Sequence, residues 1–118
     1  MSSILQTESK ALAKDIVLLC RHLQQQQKEY TLSDQLLRCG TSVGANLYEA
    51  NYAQSRKDFI SKLEIALKEC YETQYWLELF EETQLICEDE FQALYKACGS
   101  IRHKLIAAIR TAKQNTAP

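Results

Sequence analysis

The spacing of small and apolar residues constrains the fold of this chain more than any other feature. Between residues 36 and 50 these positions follow one another at intervals of four, three, four and three, and the same alternation runs from residue 59 to residue 80. Such intervals place the side chains on one face of an α-helix. The pattern therefore predicts two long helices, joined by a short turn, that face each other.

Both ends of the chain carry a similar pattern. Leu5, Leu12 and Leu19 repeat every seven residues, and apolar positions from residue 91 to residue 112 again alternate by three and four. Few helix breakers are present, because the chain has three glycines and its one proline is the last of 118 residues. We predict an all-α fold, an antiparallel up-down-up-down four-helix bundle, with residues 1–118 forming a single domain.

Polar and acidic residues mark where the predicted helices begin. The first helix is expected to begin near Ser3, TLSD at residues 31–34 is a cap signal for the second, and SRKD at residues 55–58 is a capping box for the third. We expect the third helix to end near Glu82. Acidic residues 88–90 follow the last loop and suit the start of the fourth helix, because the helix dipole favours negative charge there.

Two glycines lie inside the second predicted helix. Gly40 and Gly44 are one turn apart. Each costs the helix about 1 kcal/mol relative to alanine, so a compensating interaction is expected at both positions. The usual compensation is the close approach of another backbone. Gly99 lies off the apolar face of the fourth helix, and we do not expect it to interrupt that helix.

The central region also resembles a known protein family. The stretches RCGTSVGANLYEA at residues 38–50 and SRKDFISKLEIALKECYETQYWL at residues 55–77 carry the resemblance. They resemble the bacterial four-helix-bundle proteins encoded in intervening sequences of 23S ribosomal RNA genes. Those proteins are related to the accessory variability determinant of diversity-generating retroelements. The resemblance is specific over residues 36–80 and collinear elsewhere, and the family often has a second serine where this chain has Cys39.

The resemblance implies properties that the residues alone do not. It implies a ring-like homopentamer of four-helix bundles. For the retroelement relatives it implies binding of nucleic acid and of a reverse transcriptase through a basic surface of the assembled ring. It supplies no catalytic residue. The near-neutral net charge of −1 is less basic than such a binder would suggest.

A polar stripe accompanies the apolar face of the second helix. Arg38 and Glu49 are eleven residues apart, about 16 Å along a helix axis, so each needs a partner on another helix or another subunit. Ile65 and Trp76 form a second apolar flank on the third helix, which indicates a broad core or a subunit interface. We prefer a structural network to a ligand site, because half-buried charges are costly unless paired. The residues of this network or oligomer interface are Arg38, Ser42, Asn46, Glu49, Ile65 and Trp76.

The C-terminal part of the chain gathers basic residues. Residues 86–118 contain five Lys or Arg and three Asp or Glu, and the three acids come first. This set is either a solvated face or a surface that contacts the phosphate backbone of RNA or DNA, with a steep dependence on salt. Arg56 and Lys57 beside Tyr52 are a weaker second candidate, since tyrosine can stack on a base. The predicted nucleic-acid-binding residues of the fourth helix are Lys96, Arg102, His103, Lys104, Arg110 and Lys113.

Patterns for catalysis or metal binding are weak. A di-iron bundle needs Glu-x-x-His on two helices, whereas Leu19 and Ser100 stand three residues before His22 and His103, the two histidines of the chain. The five cysteines show no C-x-x-C spacing, so we expect small buried thiols instead of disulfides or a zinc ribbon. We expect no enzymatic activity, no cofactor and no metal.

The expected function follows from these features together. No apolar run approaches the ~20 residues of a membrane span, and residues 1–3 do not resemble the start of a signal peptide, so we expect a cytoplasmic protein without a membrane partner. We predict a non-enzymatic accessory protein that self-assembles and binds RNA or DNA, with a reverse transcriptase as a further partner implied by the resemblance. The alternative is a protein-interaction module without nucleic-acid binding, which would use the Ile65/Trp76 flank with Tyr71 and Tyr75.

Overall fold

Four α-helices make up the part of the chain that a computed structural model describes, residues 3–115. The helices are α1 (Ser3–Gln26), α2 (Thr31–Ala50), α3 (Arg56–Glu82) and α4 (Glu88–Gln114), and these residues include no strand. The predicted all-α fold is confirmed. The starts at Ser3 and Glu88 and the end at Glu82 also agree with the sequence.

The helices form an elongated antiparallel bundle of 53 × 22 × 20 Å. Each helix packs against the helices next to it in the chain, and α4 closes the arrangement by packing against α1. Within the described residues, the Cα atoms of the diagonal pairs, α1 with α3 and α2 with α4, nowhere come within 8 Å of each other. The seam between α1 and α4 is the most loosely packed of the four. Short loops between successive helices give the predicted up-down-up-down order.

The core consists of the apolar faces that the spacing predicted. Every helix contributes one buried stripe, while polar side chains occupy the outward face, as expected of amphipathic helices in a bundle. Phe80 fills one end of the core from α3. The other large side chains that are fully buried in the core are Leu5, Leu12, Ile16, Leu23, Leu36, Val43, Leu47, Leu63, Leu77, Ile101 and Leu105.

Two helix starts illustrate where the cap signals were right and where they were wrong. At α3 the Oγ of Ser55 accepts a hydrogen bond from the Asp58 amide at 3.0 Å, as predicted. At α2 the polar residues after the start do not cap it. Instead the carboxylate of Glu29 accepts a hydrogen bond from the Leu32 amide at 3.2 Å, and the Ser33 hydroxyl donates back to the Glu29 carbonyl at 2.6 Å. The side chain of Glu29, two residues before the helix, thus caps α2 in place of the TLSD residues.

The two glycines of α2 face α1, and both allow it to come close. A Cβ at Gly40 would collide with the side chain of Ile16. A Cβ at Gly44 would lie 3.4 Å from the Oγ of Ser9 and 3.5 Å from its carbonyl oxygen. The expected close approach is therefore made by a side chain at Gly40 and by backbone at Gly44.

The cysteines occupy the core, with one exception. Cys20, Cys39, Cys70 and Cys98 are buried, one on each helix, whereas Cys87 at the start of α4 is exposed. Burial raises the pKa of Cys20 to about 12 and that of Cys39 to about 11. A high pKa leaves the buried thiols uncharged and therefore unreactive, as predicted for small core residues.

Candidate functional site

Three of the six basic residues predicted to bind nucleic acid form a straight exposed row. Lys96, His103 and Arg110 are spaced by seven residues on the outward face of α4, and all three are exposed. None of them has an ion pair or hydrogen bond with another residue between positions 3 and 115. We call these three residues the basic line.

The other three predicted basic residues of α4 have partners on the neighbouring helices α1 and α3. Lys113 Nζ lies 3.0 Å from a carboxylate oxygen of Glu64 on α3. Lys104 donates to the carboxylate of Glu8 on α1 and, at 2.9 Å, to the hydroxyl of Ser100. The hydrogen bond from Lys104 lowers the pKa of Glu8, against the raising effect of its burial.

Arg102 also turns toward the bundle. Its Nη1 donates to the side-chain oxygen of Gln74 on α3 at 2.7 Å, and its guanidinium lies 5.8 Å from the centre of the Tyr71 ring. The six predicted residues are therefore not one surface, because three of them neutralise or bind groups on neighbouring helices. Sequence spacing did not reveal this, since the partners are 28 to 96 positions away in the chain.

The second basic candidate is dispersed. Arg56 lies over the ring of Phe59, 5.6 Å from its centre, and Lys57 is exposed. Tyr52 is 73% exposed and packs against Tyr48, with ring centres 5.6 Å apart. Tyr52 is therefore accessible for stacking, although its partner in the structure is another tyrosine.

The polar stripe of α2 makes two separate connections to α3. Arg38 Nη1 lies 3.3 Å from Glu69, and Arg38 also pairs with Glu72. Glu49 accepts a hydrogen bond from Lys62 at 2.9 Å, and this bond raises the pKa of Lys62. Arg38 and Glu49 thus each find the partner on another helix that their separation required.

The remaining members of the predicted network do not join these ion pairs into one system. The side-chain amide of Asn46 donates to the carbonyl of Ser42 on the same helix at 2.8 Å, which links nothing across the bundle. Trp76 is the exception, because its indole N–H donates to Glu72 at 3.0 Å, beside Arg38. Ile65 lies on the same flank and is 40% exposed.

Two apolar surfaces lie on opposite sides of the bundle. The α2–α3 surface consists of Ile65, Tyr75 and Trp76, with Tyr75 and Trp76 in edge-to-face contact at 5.1 Å between ring centres. On the other side a groove of about 340 Å³ runs along the loose seam between α1 and α4. The α1–α4 surface consists of Ala11, Leu18, Ala93 and Ala97; the alanines line this groove, and Leu18, two helical turns after Ala11, is 60% exposed. The groove is also lined by Glu8, Asp15 and Ser100, and by Lys96, so that the α1–α4 surface borders the basic line.

The described helices contain neither a cluster of metal ligands nor a segment that could span a membrane. Between residues 3 and 115, no group of three or more His, Cys, Asp or Glu side chains is arranged to hold a metal ion. None of the four described helices combines the length and the apolar character needed to cross a bilayer.

Comparison with known proteins places this bundle in a family. The family model described as 23S rRNA-intervening sequence protein matches residues 2–107. The chain belongs to this family. A solved structure of a protein of unknown function from the S23 ribosomal protein family of Bacteroides thetaiotaomicron is 46% identical, with a TM-score of 0.87. The similarity covers 89% of this chain and 97% of that chain.

The intervening sequence protein family is thus established by both the sequence and the fold. No curated protein matches the chain. Neither the family description nor the solved structure names an enzymatic activity.

Proposed function

We propose that this protein is a non-enzymatic accessory protein that self-associates and binds the phosphate backbone of nucleic acid through the basic line. The observation that carries the proposal is the exposure of Lys96, His103 and Arg110 in one row, without partners among residues 3–115. Seven residues of helix span about 10.5 Å. That distance corresponds to about three nucleotides of one strand at a rise of ~3.4 Å.

The small number of charges in one copy favours binding by an assembly. Lys96 and Arg110 supply two positive charges. Each phosphate that they neutralise makes the plot of log K against log salt concentration steeper by only about 0.7 to 0.9. Repetition of the line by symmetry multiplies the local positive potential without any new sequence feature. Self-association and nucleic-acid binding are therefore parts of one proposal.

The two apolar surfaces support self-association of a particular kind. The α2–α3 surface and the α1–α4 surface lie on opposite sides of the bundle and differ in shape. One carries aromatic side chains, and the other is a groove lined by three alanines together with Glu8, Asp15 and Lys96. Contact between two different surfaces is heterologous, and such contacts close into rings when the rotation allows it. A ring of five copies, as the sequence resemblance implies, is the form that we propose.

Structured RNA is the partner to test first. The description of the family names the intervening sequence of 23S rRNA. A role beside the reverse transcriptase of a retroelement is a narrower form of the same proposal, which rests on the sequence resemblance. It applies where the genome encodes such an enzyme, and purification of the two proteins together would support it.

The test is binding of a fluorescent structured RNA, followed by anisotropy at 50 and 200 mM salt. The double variant Lys96→Glu/Arg110→Glu reverses the two permanent charges of the line, and we expect its affinity at 50 mM salt to fall at least tenfold. Lys10→Glu/Lys14→Glu is the matched control, because it makes the same charge change at exposed positions of α1. Equal affinity of the line variant and the control would reject the basic line as the binding surface.

The same experiment addresses the second candidate function, a protein-interaction module. The exposure of Tyr71 (51%), Tyr75 (58%) and Ile65 (40%) on α3 favours it. Aromatic side chains in such a position are typical of protein interfaces. If the protein does not bind RNA at either salt concentration, docking of another protein at α3 becomes the better interpretation.

A further inference from the structure

Tyr71 on α3 is an exposed aromatic residue whose ring is held by a cation. It is 51% exposed. The guanidinium of Arg102 on α4 lies over the ring, 5.8 Å from its centre. Arg102 is itself held in place, because its Nη1 donates to the side-chain oxygen of the buried Gln74 at 2.7 Å. The Tyr71 ring therefore rests on an ordered guanidinium, while about half of the residue stays open to solvent.

The ring stands beside the middle of the basic line. Arg102, on which Tyr71 packs, directly precedes His103, the central residue of the line. Neighbouring helix axes in a bundle are only about 8–10 Å apart, so a ligand on Tyr71 also reaches the outward face of α4. Two carboxylates of α3 that face α4, Glu64 and Glu78, already have partners on that helix. The surroundings of the ring on α4 are therefore cationic.

An exposed ring beside cations suits a nucleic-acid base. Bases stack on aromatic side chains whatever their sequence, while Lys and Arg contact the phosphates. Stacking requires an unpaired base, because protein side chains reach the face of a base only where the strand is unstacked. Since Arg102 already holds the Tyr71 ring, little side-chain freedom is lost when a base binds.

We propose that Tyr71 stacks on one unpaired base of a nucleic-acid strand whose neighbouring phosphates contact the basic line. This inference rests on the proposed function and narrows its partner to nucleic acid with a single-stranded stretch. The contact with Arg102 favours a base over a protein partner, because it ties Tyr71 to the helix that carries the basic line. Ile65 and Tyr75, in contrast, belong to the α2–α3 surface.

Three variants isolate the ring of Tyr71. Tyr71→Ala removes it at an exposed position inside a helix, where alanine is favourable, so the variant is expected to fold. Tyr71→Phe keeps the ring and removes only the hydroxyl. Tyr30→Ala is the matched control, because Tyr30 is 53% exposed and directly precedes α2, away from the basic line.

The measurement is anisotropy at 50 mM salt with a fluorescent, unstructured single strand of RNA and with the same strand annealed to its complement. We expect Tyr71→Ala to bind the single strand about tenfold more weakly than the parent and the duplex equally well, since one stacked base is lost. Tyr71→Phe and Tyr30→Ala should bind both probes like the parent. The NMR signals of the Tyr71 ring should move upfield with the single strand and not with the duplex.

The outcomes separate this inference from the proposed function. If Lys96→Glu/Arg110→Glu weakens binding of the single strand but Tyr71→Ala does not, the stacking is overturned and the proposed function stands. An equal loss on the duplex, or an equal loss in Tyr71→Phe, also overturns the stacking, because the ring would then not be reading an unpaired base. If the parent binds neither probe, both proposals are rejected, and Tyr71 is left to a protein partner.

Discussion

At the scale of single residues, Glu8 provides a measurable link between the two chain ends. Its carboxylate accepts hydrogen bonds from Lys104 and Ser100 across the loose α1–α4 seam, and the bond from Lys104 lowers its pKa. A carboxyl group whose pKa is lower in the folded state stabilises the protein above its unfolded pKa, which is about 4.3. That contribution is lost as the pH falls through the folded pKa.

We therefore expect Glu8→Gln to reduce the free energy of unfolding at neutral pH and to have little effect in acid. The Glu8 and Lys104 side chains are 30% and 40% exposed, so solvent screening limits the difference to about 1 kcal/mol. Urea unfolding at pH 7, 5 and 3 measures it, with Asp15→Asn as a control carboxylate on the same face of α1. A difference between parent and variant that stays constant down to pH 3 would contradict the assigned role of Glu8.

Residue pairing also marks the limit of what could be predicted from the sequence. The need for partners of Arg38 and Glu49 follows from their separation on one helix, and both partners are found on α3. The pairing of Lys104 with Glu8 could not be predicted, because 96 positions separate them and only the packing of α4 on α1 brings them together. Gln74 was overlooked for a similar reason, since it stands beside the apolar stripe of α3 and its hydrogen-bond partner Arg102 lies on α4, 28 positions away.

At the scale of the helices, the three glycines test how closely neighbouring elements pack. Alanine gains up to about 1 kcal/mol over glycine in a helix interior. At Gly40 this gain is outweighed by the collision with Ile16, for which overpacking costs about 1–3 kcal/mol. At Gly44 the nearest atoms to an added Cβ would be 3.4 and 3.5 Å away, and at Gly99 they would be 4.0 Å away, which are ordinary van der Waals distances. Helix boundaries and faces could be predicted from spacing, but these differences depend on the neighbouring helix.

We predict that Gly99→Ala is the most stable of the three alanine variants, Gly44→Ala is equal to the parent or slightly more stable, and Gly40→Ala is less stable than the parent. Denaturant unfolding of the four proteins under one set of conditions measures the order. If Gly40→Ala proves as stable as Gly99→Ala, the α1–α2 seam is less tightly packed than the structure indicates.

At the scale of the whole molecule, the placement of the two apolar surfaces determines what kind of assembly the bundle can form. They lie on opposite sides, so a copy that uses one of them leaves the other available for the next copy. This geometry favours a head-to-tail arrangement, whether a closed ring or an open filament, over a two-fold dimer, in which the same surface of both copies would meet. The distinction can be measured, because the two cases respond differently to a charge placed on one surface.

We predict that Leu18→Glu and Ile65→Glu are each monomeric and that their mixture forms dimers only. Each variant buries an uncompensated carboxylate in one contact, which is strongly unfavourable, while its other surface stays intact. In a mixture, the intact α2–α3 surface of Leu18→Glu can bind the intact α1–α4 surface of Ile65→Glu, and the chain of contacts then stops. Light scattering after size exclusion gives the masses of both variants, of the mixture and of the parent protein. Under a two-fold arrangement, one variant would remain as associated as the parent and mixing would produce nothing new, so dimers found only in the mixture identify the heterologous contact.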